Sequence, residues 1–290
     1  MNISLKTFNK QLWCRGFLLL SLFSAWLAQA QDQIIWQLNH APPSTIVHGE
    51  LKNKGFIDLI LKEIIKQLPQ YDHVIEVSTL ASSAFEMRAK KNICLPALFV
   101  TPEREKFMVF SQASIAHPSN RIVLLKTKAE TLFKSNLNEL LADPKIYLGL
   151  DQARSYGEYI DAVLADFEPA NNIYRRESES PNGLLEMVVV GRLDYTLAYP
   201  FQVQYFLQTH GYQVDNPLVE QQIEGLAPFS MGKVACADSP WGRNVIKAVN
   251  EVLTRIKPTK AYQDAMTTWW RQSAADPAFI EYYQQVFLTH

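Results

Sequence analysis

The sequence predicts an α/β protein made of two successive units, and three observations carry that reading. Apolar runs of strand length alternate with runs of helical spacing, the alternation restarts after Pro118, and no Gly/Ser/Pro linker, low-complexity tract or repeat divides the halves. Roughly 260 residues beyond the N-terminal segment exceed one ordinary core, so one large or two modest domains are expected.

Residues 33–38 (Gln-Ile-Ile-Trp-Gln-Leu) read as a strand, 57–68 as an amphipathic helix, 74–78 as a strand, 84–90 as a helix and 93–100 as a strand. This βαβαβ order is the pattern of a parallel sheet. The second unit has strands over 121–125 and 145–150 and helical apolar spacing over 156–167. A helix over 184–190 stops at Gly191 and leads into a strand over 193–198. A strand over 233–237 then precedes a long amphipathic helix over 241–256, ended by Pro258. Two last helices, 262–271 and 277–287, carry Trp and Tyr and read as packed rather than frayed.

The first thirty residues have the form of a secretory signal: Lys6, Lys10 and Arg15, an apolar core over 16–27, and a small-x-small site at Ala28-Gln29-Ala30. The apolar core is shorter than the ~20 residues a membrane span needs. A periplasmic, soluble, monomeric protein is therefore expected, with a retained N-terminal anchor as the rival. Cleavage removes three of 28 basic residues and no acid, leaving 25 against 29 acidic residues and a net charge of −4. No overall field draws such a protein to nucleic acid. Cleavage also removes Cys14, so Cys94 and Cys236 remain, either bonded to each other or as two buried thiols. The six histidines show no metal spacing, and no phosphate loop or nucleophile elbow occurs, so neither metal nor cofactor is expected.

The most telling stretch is 94–111, an apolar run broken at Thr101-Pro102 that sets Arg104 beside a second apolar run. A turn at a strand's carboxyl end is where open α/β sheets bind ligands, which makes Arg104 a candidate anion anchor. The bland alternative is a surface arginine paired with Glu103 or Glu105.

Gly55-Phe56-Ile57-Asp58-Leu59, Thr101-Pro102-Glu103-Arg104 with Phe110-Ser111, and Gly191-Arg192-Leu193-Asp194 together resemble the bacterial extracellular solute-binding proteins of family 3. The resemblance spans nearly the whole chain after the signal. Pro42-Pro43, the cysteines, Arg154-Ser155-Tyr156-Gly157 and Tyr199-Pro200 are similar to a poorly characterised branch distinct from the amino-acid carriers. The resemblance implies a two-lobed type II periplasmic binding-protein fold, each lobe a mainly parallel sheet flanked by helices, joined by two hinge crossovers. One lobe would comprise 31–116 and 228–290, the other 117–227, with a small-molecule ligand between them and a membrane transporter or sensor as partner. It also implies that the strands of Cys94 and Cys236 are neighbours, which favours a disulfide.

On that resemblance Arg104 grips a carboxylate through its planar fork, next to Thr101. Family carriers have small hydroxyl residues before that arginine, where this chain has Ala97 and Phe99, so a ring replaces donors; Phe99 as ordinary core is the alternative. The carriers' ammonium-binding aspartate matches Tyr199, and Asp194 reads as structural rather than as its substitute, which leaves Glu177 or Glu179 as other acids. Arg154, Ser155 and Tyr156 precede a helix whose N–H groups can meet an anion with Ser155 as cap, or else form a simple cap beside a solvated arginine. Trp36, His40 and Pro43 surround the end of the first strand, and Ser82 and Ser83 occupy the loop after the second; all are cleft-facing by analogy. The expected function is capture of a small carboxylate-bearing ligand for a transporter or sensor. The alternative is a cyclohexadienyl dehydratase-like enzyme on the same fold, with His40, Glu177 or Glu179 as its acid or base.

Overall fold

The computed structural model describes residues 32–132, 136–152, 154–177 and 182–290. The signal segment expected over 1–30 lies outside them, as does Glu179. Among the described residues two five-stranded sheets organise the chain. The first holds β1 (Gln33–Leu38), β2 (Asp72–Val77), β3 (Ile93–Leu98), β4 (Met108–Pro118) and β10 (Phe229–Ala237), in the order β2-β1-β3-β10-β4. The second holds β5 (Arg121–Leu125), β6 (Leu148–Asp151), β7 (Ile173–Arg176), β8 (Tyr195–Ala198) and β9 (Leu218–Gln221), in the order β7-β6-β8-β5-β9.

This is the two-lobed α/β architecture expected, with one refinement. In each sheet two parallel pairings meet two antiparallel ones. The antiparallel pairings belong to β10 and β5, the strands that enter a sheet after the chain has crossed from the other. The crossings run through 119–120, between β4 and β5, and through 222–228, between β9 and β10. Cys94 on β3 stands in register with Cys236 on β10, and a disulfide joins them.

The helices are α1 (Phe56–Lys66), α2 (Leu80–Arg88), α3 (Pro102–Glu105), α4 (Lys126–Leu132), α5 (Leu137–Leu141), α6 (Glu158–Asp166), α7 (Gly183–Val189), α8 (Pro200–Thr209), α9 (Pro240–Ile256), α10 (Lys260–Thr267), α11 (Arg271–Ala274) and α12 (Pro277–Gln285). None among the described residues is long and apolar enough to cross a membrane. The Gly-Phe-Ile-Asp motif opens α1 for a definite reason. Asp58 accepts the backbone N–H groups of Ile46 and Gly55, both at 2.9 Å, and so ties the preceding loop to the helix start. A Cβ at Gly55 would stand 2.3 Å from the carbonyl oxygen of Ser44, so the close approach requires glycine.

One face of the first sheet packs Ile34, Trp36 and Leu38 against Phe56, Ile60 and Ile64 of α1 and Val245, Val249 and Leu253 of α9. The α9 residues recur at helical spacing and are almost fully buried. Truncating one of them, as in Leu253→Ala, costs about 2–5 kcal/mol. The other face carries Met87, Leu95, Met108 and Ala235. In the second sheet Ile122, Leu124, Leu148 and Leu150 cover one face, and Val123, Leu185 and Val188 the other.

Several elements depart from expectation. α2 begins earlier than position 84 because the Thr79 hydroxyl accepts the Ser82 N–H at 3.1 Å. Ser82 and Ser83 therefore lie in a helix's first turn rather than in a loop. The helix expected over 262–271 breaks between α10 and α11, where Trp270 leaves helical backbone.

Candidate ligand-binding cleft

Arg104 is placed by local chemistry. β3 ends at Leu98, Thr101 caps α3 by accepting the Arg104 N–H at 3.2 Å, and Pro102 occupies the first helical turn. This short turn folds the side chain back so that its Nη1 donates to the Phe99 carbonyl at 2.8 Å. Burial lowers the pKa of the guanidinium, while the carboxylate charge of Asp161, from the second lobe, opposes that. The pairing of Arg104 with Glu103 is not what forms. Glu103 is exposed and bonds Arg88 at 3.3 Å and Lys106.

The second lobe's contribution begins where β6 ends. Asp161, in the first turn of α6, accepts the Ser155 hydroxyl at 2.5 Å and the Tyr156 N–H at 2.8 Å. The cap position belongs to Gly157, at φ 100, with no side-chain cap bond. Ser155 is therefore not the cap as expected; its oxygen accepts the Gly157 N–H at 3.2 Å from outside the helix. The carboxylate near the helix start is the protein's own, which suits the partial positive charge there.

Arg154 is mostly buried rather than freely solvated. Its Nη1 meets Asp151 at 3.4 Å and its Nη2 donates to Asn120 at 3.3 Å. The guanidinium lies over the Tyr156 ring at 4.5 Å and the Tyr199 ring at 5.1 Å. Burial opposes its charge, but Tyr156, Tyr199 and Asp151 outweigh that and raise its pKa. Tyr156 is core, 2% exposed, and its hydroxyl accepts the Asp151 N–H at 2.8 Å. Arg154 thus pins the crossing at Asn120 to the end of β6.

Aromatic rings run from one lobe to the other beside Arg104. Phe99 stands 6.3 Å from His117, His117 meets Tyr199 edge-on at 4.6 Å and Phe201 at 5.6 Å, and Phe201 stacks on Tyr199 at 4.9 Å. Phe56 of α1 then meets Phe201 at 5.0 Å. The Phe99 ring also lies against Gly157, where a Cβ would stand 3.9 Å from it. Burial drives the His117 pKa down to about 4, against the Pro118 carbonyl, which bonds Nδ1 at 2.9 Å, and with a smaller push from Arg154. A carbonyl only accepts, so the neutral ring carries its proton on Nδ1 and leaves Nε2 as an acceptor.

The expected residues therefore divide. Arg104, Thr101, Phe99 and Tyr199 gather at the lobe junction, with Arg154, Ser155 and Tyr156 behind them as framework. Trp36 belongs to the core: it is fully buried and donates its Nε1 to His73 at 3.0 Å. Ser82 is exposed in the first turn of α2. Pro43 is buried, and its carbonyl accepts the Phe56 N–H at 3.3 Å, so it shapes the start of α1. His40 accepts the Val47 N–H at 3.3 Å, and Glu177 is exposed. Asp194 has the structural part expected, bonding Lys128 at 2.5 Å and the Tyr147 N–H at 2.8 Å. Sequence reasoning missed Asp161, Asn120 and His117. An acid in a first helical turn was the available signal for Asp161; nothing local marks the other two. No cluster able to hold a metal ion occurs among the described residues.

No protein-family model matches the sequence, and no curated protein matches it. Solved structures do. A mutant of ArgBP from T. maritima is 18% identical, with 83% of this chain and 96% of that chain covered and a TM-score of 0.63. The ancestral amino acid-binding protein AncCDT-1, a precursor of cyclohexadienyl dehydratase, is 16% identical over 82% of this chain and 95% of that one, with a TM-score of 0.63. The periplasmic VFT2 domain of BvgS from Bordetella pertussis is 16% identical over 84% and 95%, with a TM-score of 0.61. At these identities the likeness is one of fold.

Proposed function

We propose that this protein is an exported, periplasmic solute-binding protein that captures a small carboxylate-bearing ligand between its lobes and presents the closed form to a membrane transporter or sensor. The observation that carries this reading is Arg104. Its fork is held by one bond to the Phe99 carbonyl, the neighbouring Glu103 is engaged by Arg88 and Lys106 instead, and Asp161 of the other lobe favours its charged form. A guanidinium with one donor engaged keeps others for a planar carboxylate. We assign 31–116 with 228–290 to the lobe that carries Arg104 and 117–227 to the lobe that closes on it. Phe99 and Tyr199 supply ring faces, and closure removes the water that screens the charge.

Asp161, rather than Glu177 or Glu179, takes the place of the acid that Tyr199 replaces. Its carboxylate retains acceptor capacity beyond its two bonds, so a cationic group at the far end of the ligand can reach it. The fold's occurrence in ArgBP and in an ancestral amino acid-binding protein that is a precursor of cyclohexadienyl dehydratase supports a small-molecule cleft. A thermal-shift screen against amino acids, keto acids, aromatic acids and polyamines tests the reading. The expected hit is an anion or zwitterion bound saturably and without turnover. Conversion of prephenate or arogenate to product would overturn the carrier reading in favour of an enzyme.

A further inference from the structure

The grip of Arg104 leaves one buried group of the junction without a part. His117 stands near the end of β4, just before the crossing at 119–120, and is 7% exposed. Burial keeps its ring neutral, and its Nδ1–H is spent on the Pro118 carbonyl, so Nε2 remains as an acceptor. Nε2 makes no hydrogen bond among the described residues. The nearest ring, Tyr199, does not supply one, because its hydroxyl is engaged by Arg154 and Asn120. Buried polar atoms are normally satisfied, so an acceptor left over in this position points to a donor that arrives from outside the chain.

Access and position agree with that. The unpartnered indole nitrogens of Trp241 and Trp270 are sealed, whereas Nε2 keeps accessible surface. The rings around the imidazole are Phe99, Tyr199 and Phe201, so what reaches Nε2 comes through the lobe junction. Phe99 links this acceptor to the arginine: its carbonyl holds the Arg104 fork at 2.8 Å, and its ring stands 6.3 Å from the imidazole. A ligand carbonyl laid against Nε2 would set lone pair against lone pair. A hydroxyl or amino group would give the hydrogen that Nε2 lacks.

Resting on the reading of Arg104 as the carboxylate anchor, we propose that His117 is a specificity-determining residue of the cleft: its Nε2 accepts from a hydroxyl or amino group of the ligand, so the protein takes hydroxy or amino acids and rejects the keto acids of the same skeleton. Calorimetric titration with matched series tests it: phenylalanine, phenyllactate and phenylpyruvate; leucine, hydroxyisocaproate and ketoisocaproate; glutamate, hydroxyglutarate and oxoglutarate. In at least one series a donor-bearing member is expected to bind at least about tenfold more tightly than its keto acid, because a site built for a hydrogen bond penalises the analogue that lacks it. The hydroxy and amino arms separate the two kinds of donor. His117→Phe keeps a ring and loses the acceptor, and it should bring the ratio close to one; His117→Gln, whose Oε1 accepts, should retain it. A merely structural histidine would change affinity without changing this ratio. The proposal is overturned by wild-type protein that shows no such preference in any series, which needs no variant to fold, or by a preference that survives His117→Phe. Arg104→Ala keeps the two claims apart. Wild-type binding without preference that Arg104→Ala abolishes removes His117 and leaves the anchor, whereas a preference undiminished in Arg104→Ala removes the anchor and leaves His117.

Discussion

Arg154→Ala separates a framework arginine from a ligand contact. The side chain is 18% exposed and its partner Asp151 23%, at 3.4 Å, with a further bond of 3.3 Å to Asn120 and two tyrosine rings in stacking range. Removing one partner of a fully buried pair costs about 3–5 kcal/mol, and residual exposure with long bonds places this pair at or below the low end. Each ring adds roughly 0.5–1 kcal/mol. The sum is about 3 kcal/mol, which for a chain of this size lowers Tm by roughly 6–12 °C. Thermal and urea denaturation read the loss, and Arg154→Lys should recover only part of it, since an ammonium cannot span Asp151 and Asn120 together. An Arg154→Ala protein of unchanged Tm that fails only in ligand binding would refute the reasoning and return Arg154 to the anion site.

Other outcomes follow from neighbouring groups. Asp161→Asn keeps the shape but removes the charge that faces Arg104; it should lower stability by about 1–2 kcal/mol through the weakened Ser155 and Tyr156 bonds, measured by urea titration. His117 is neutral when folded down to about pH 4 but binds a proton near pH 6.5 when unfolded. The unfolded state therefore holds more protons between those values, so the contribution of His117 is complete above about pH 6.5 and lost as pH falls toward 4, on the order of 3 kcal/mol in all. His117→Phe should flatten that part of the stability–pH curve, and an unchanged slope would contradict it. The Cys94–Cys236 bond closes a long loop, with a sequence separation of 142 residues, so the double alanine variant should lose about 2–5 kcal/mol in denaturant titration.

Much of the fold was legible because its signals are local. β1 matches the expected strand residue for residue, and α9 differs from expectation by one position, since period-two and period-3.6 burial are written directly in those segments. β7 (Ile-Tyr-Arg-Arg) and β9 (Leu-Val-Glu-Gln) were not, because both are four-residue edge strands whose pairing comes from neighbours distant in sequence. α8 was hidden by its Tyr-Pro start and its aromatic content. The position of Arg104 just after a strand and a Thr-Pro turn was readable, while the Thr101 cap that folds it back was not. The commitment of Arg154 was not, since Asn120 lies 34 residues away and the packing of Tyr199 depends on a third segment. Trp36 shows a signal that was present but unused: its alternation with Ile34 and Leu38 places all three on the inner face.

The central claim is that Arg104 anchors an anionic ligand between two lobes. Calorimetric titration of the anion found by the thermal-shift screen, into wild-type and Arg104→Ala protein side by side, tests it most directly. A weakening of about 2–5 kcal/mol, the cost of leaving the ligand's buried carboxylate unpaired, is the result expected. Equal affinity in the two proteins would contradict the claim and remove Arg104 from the site.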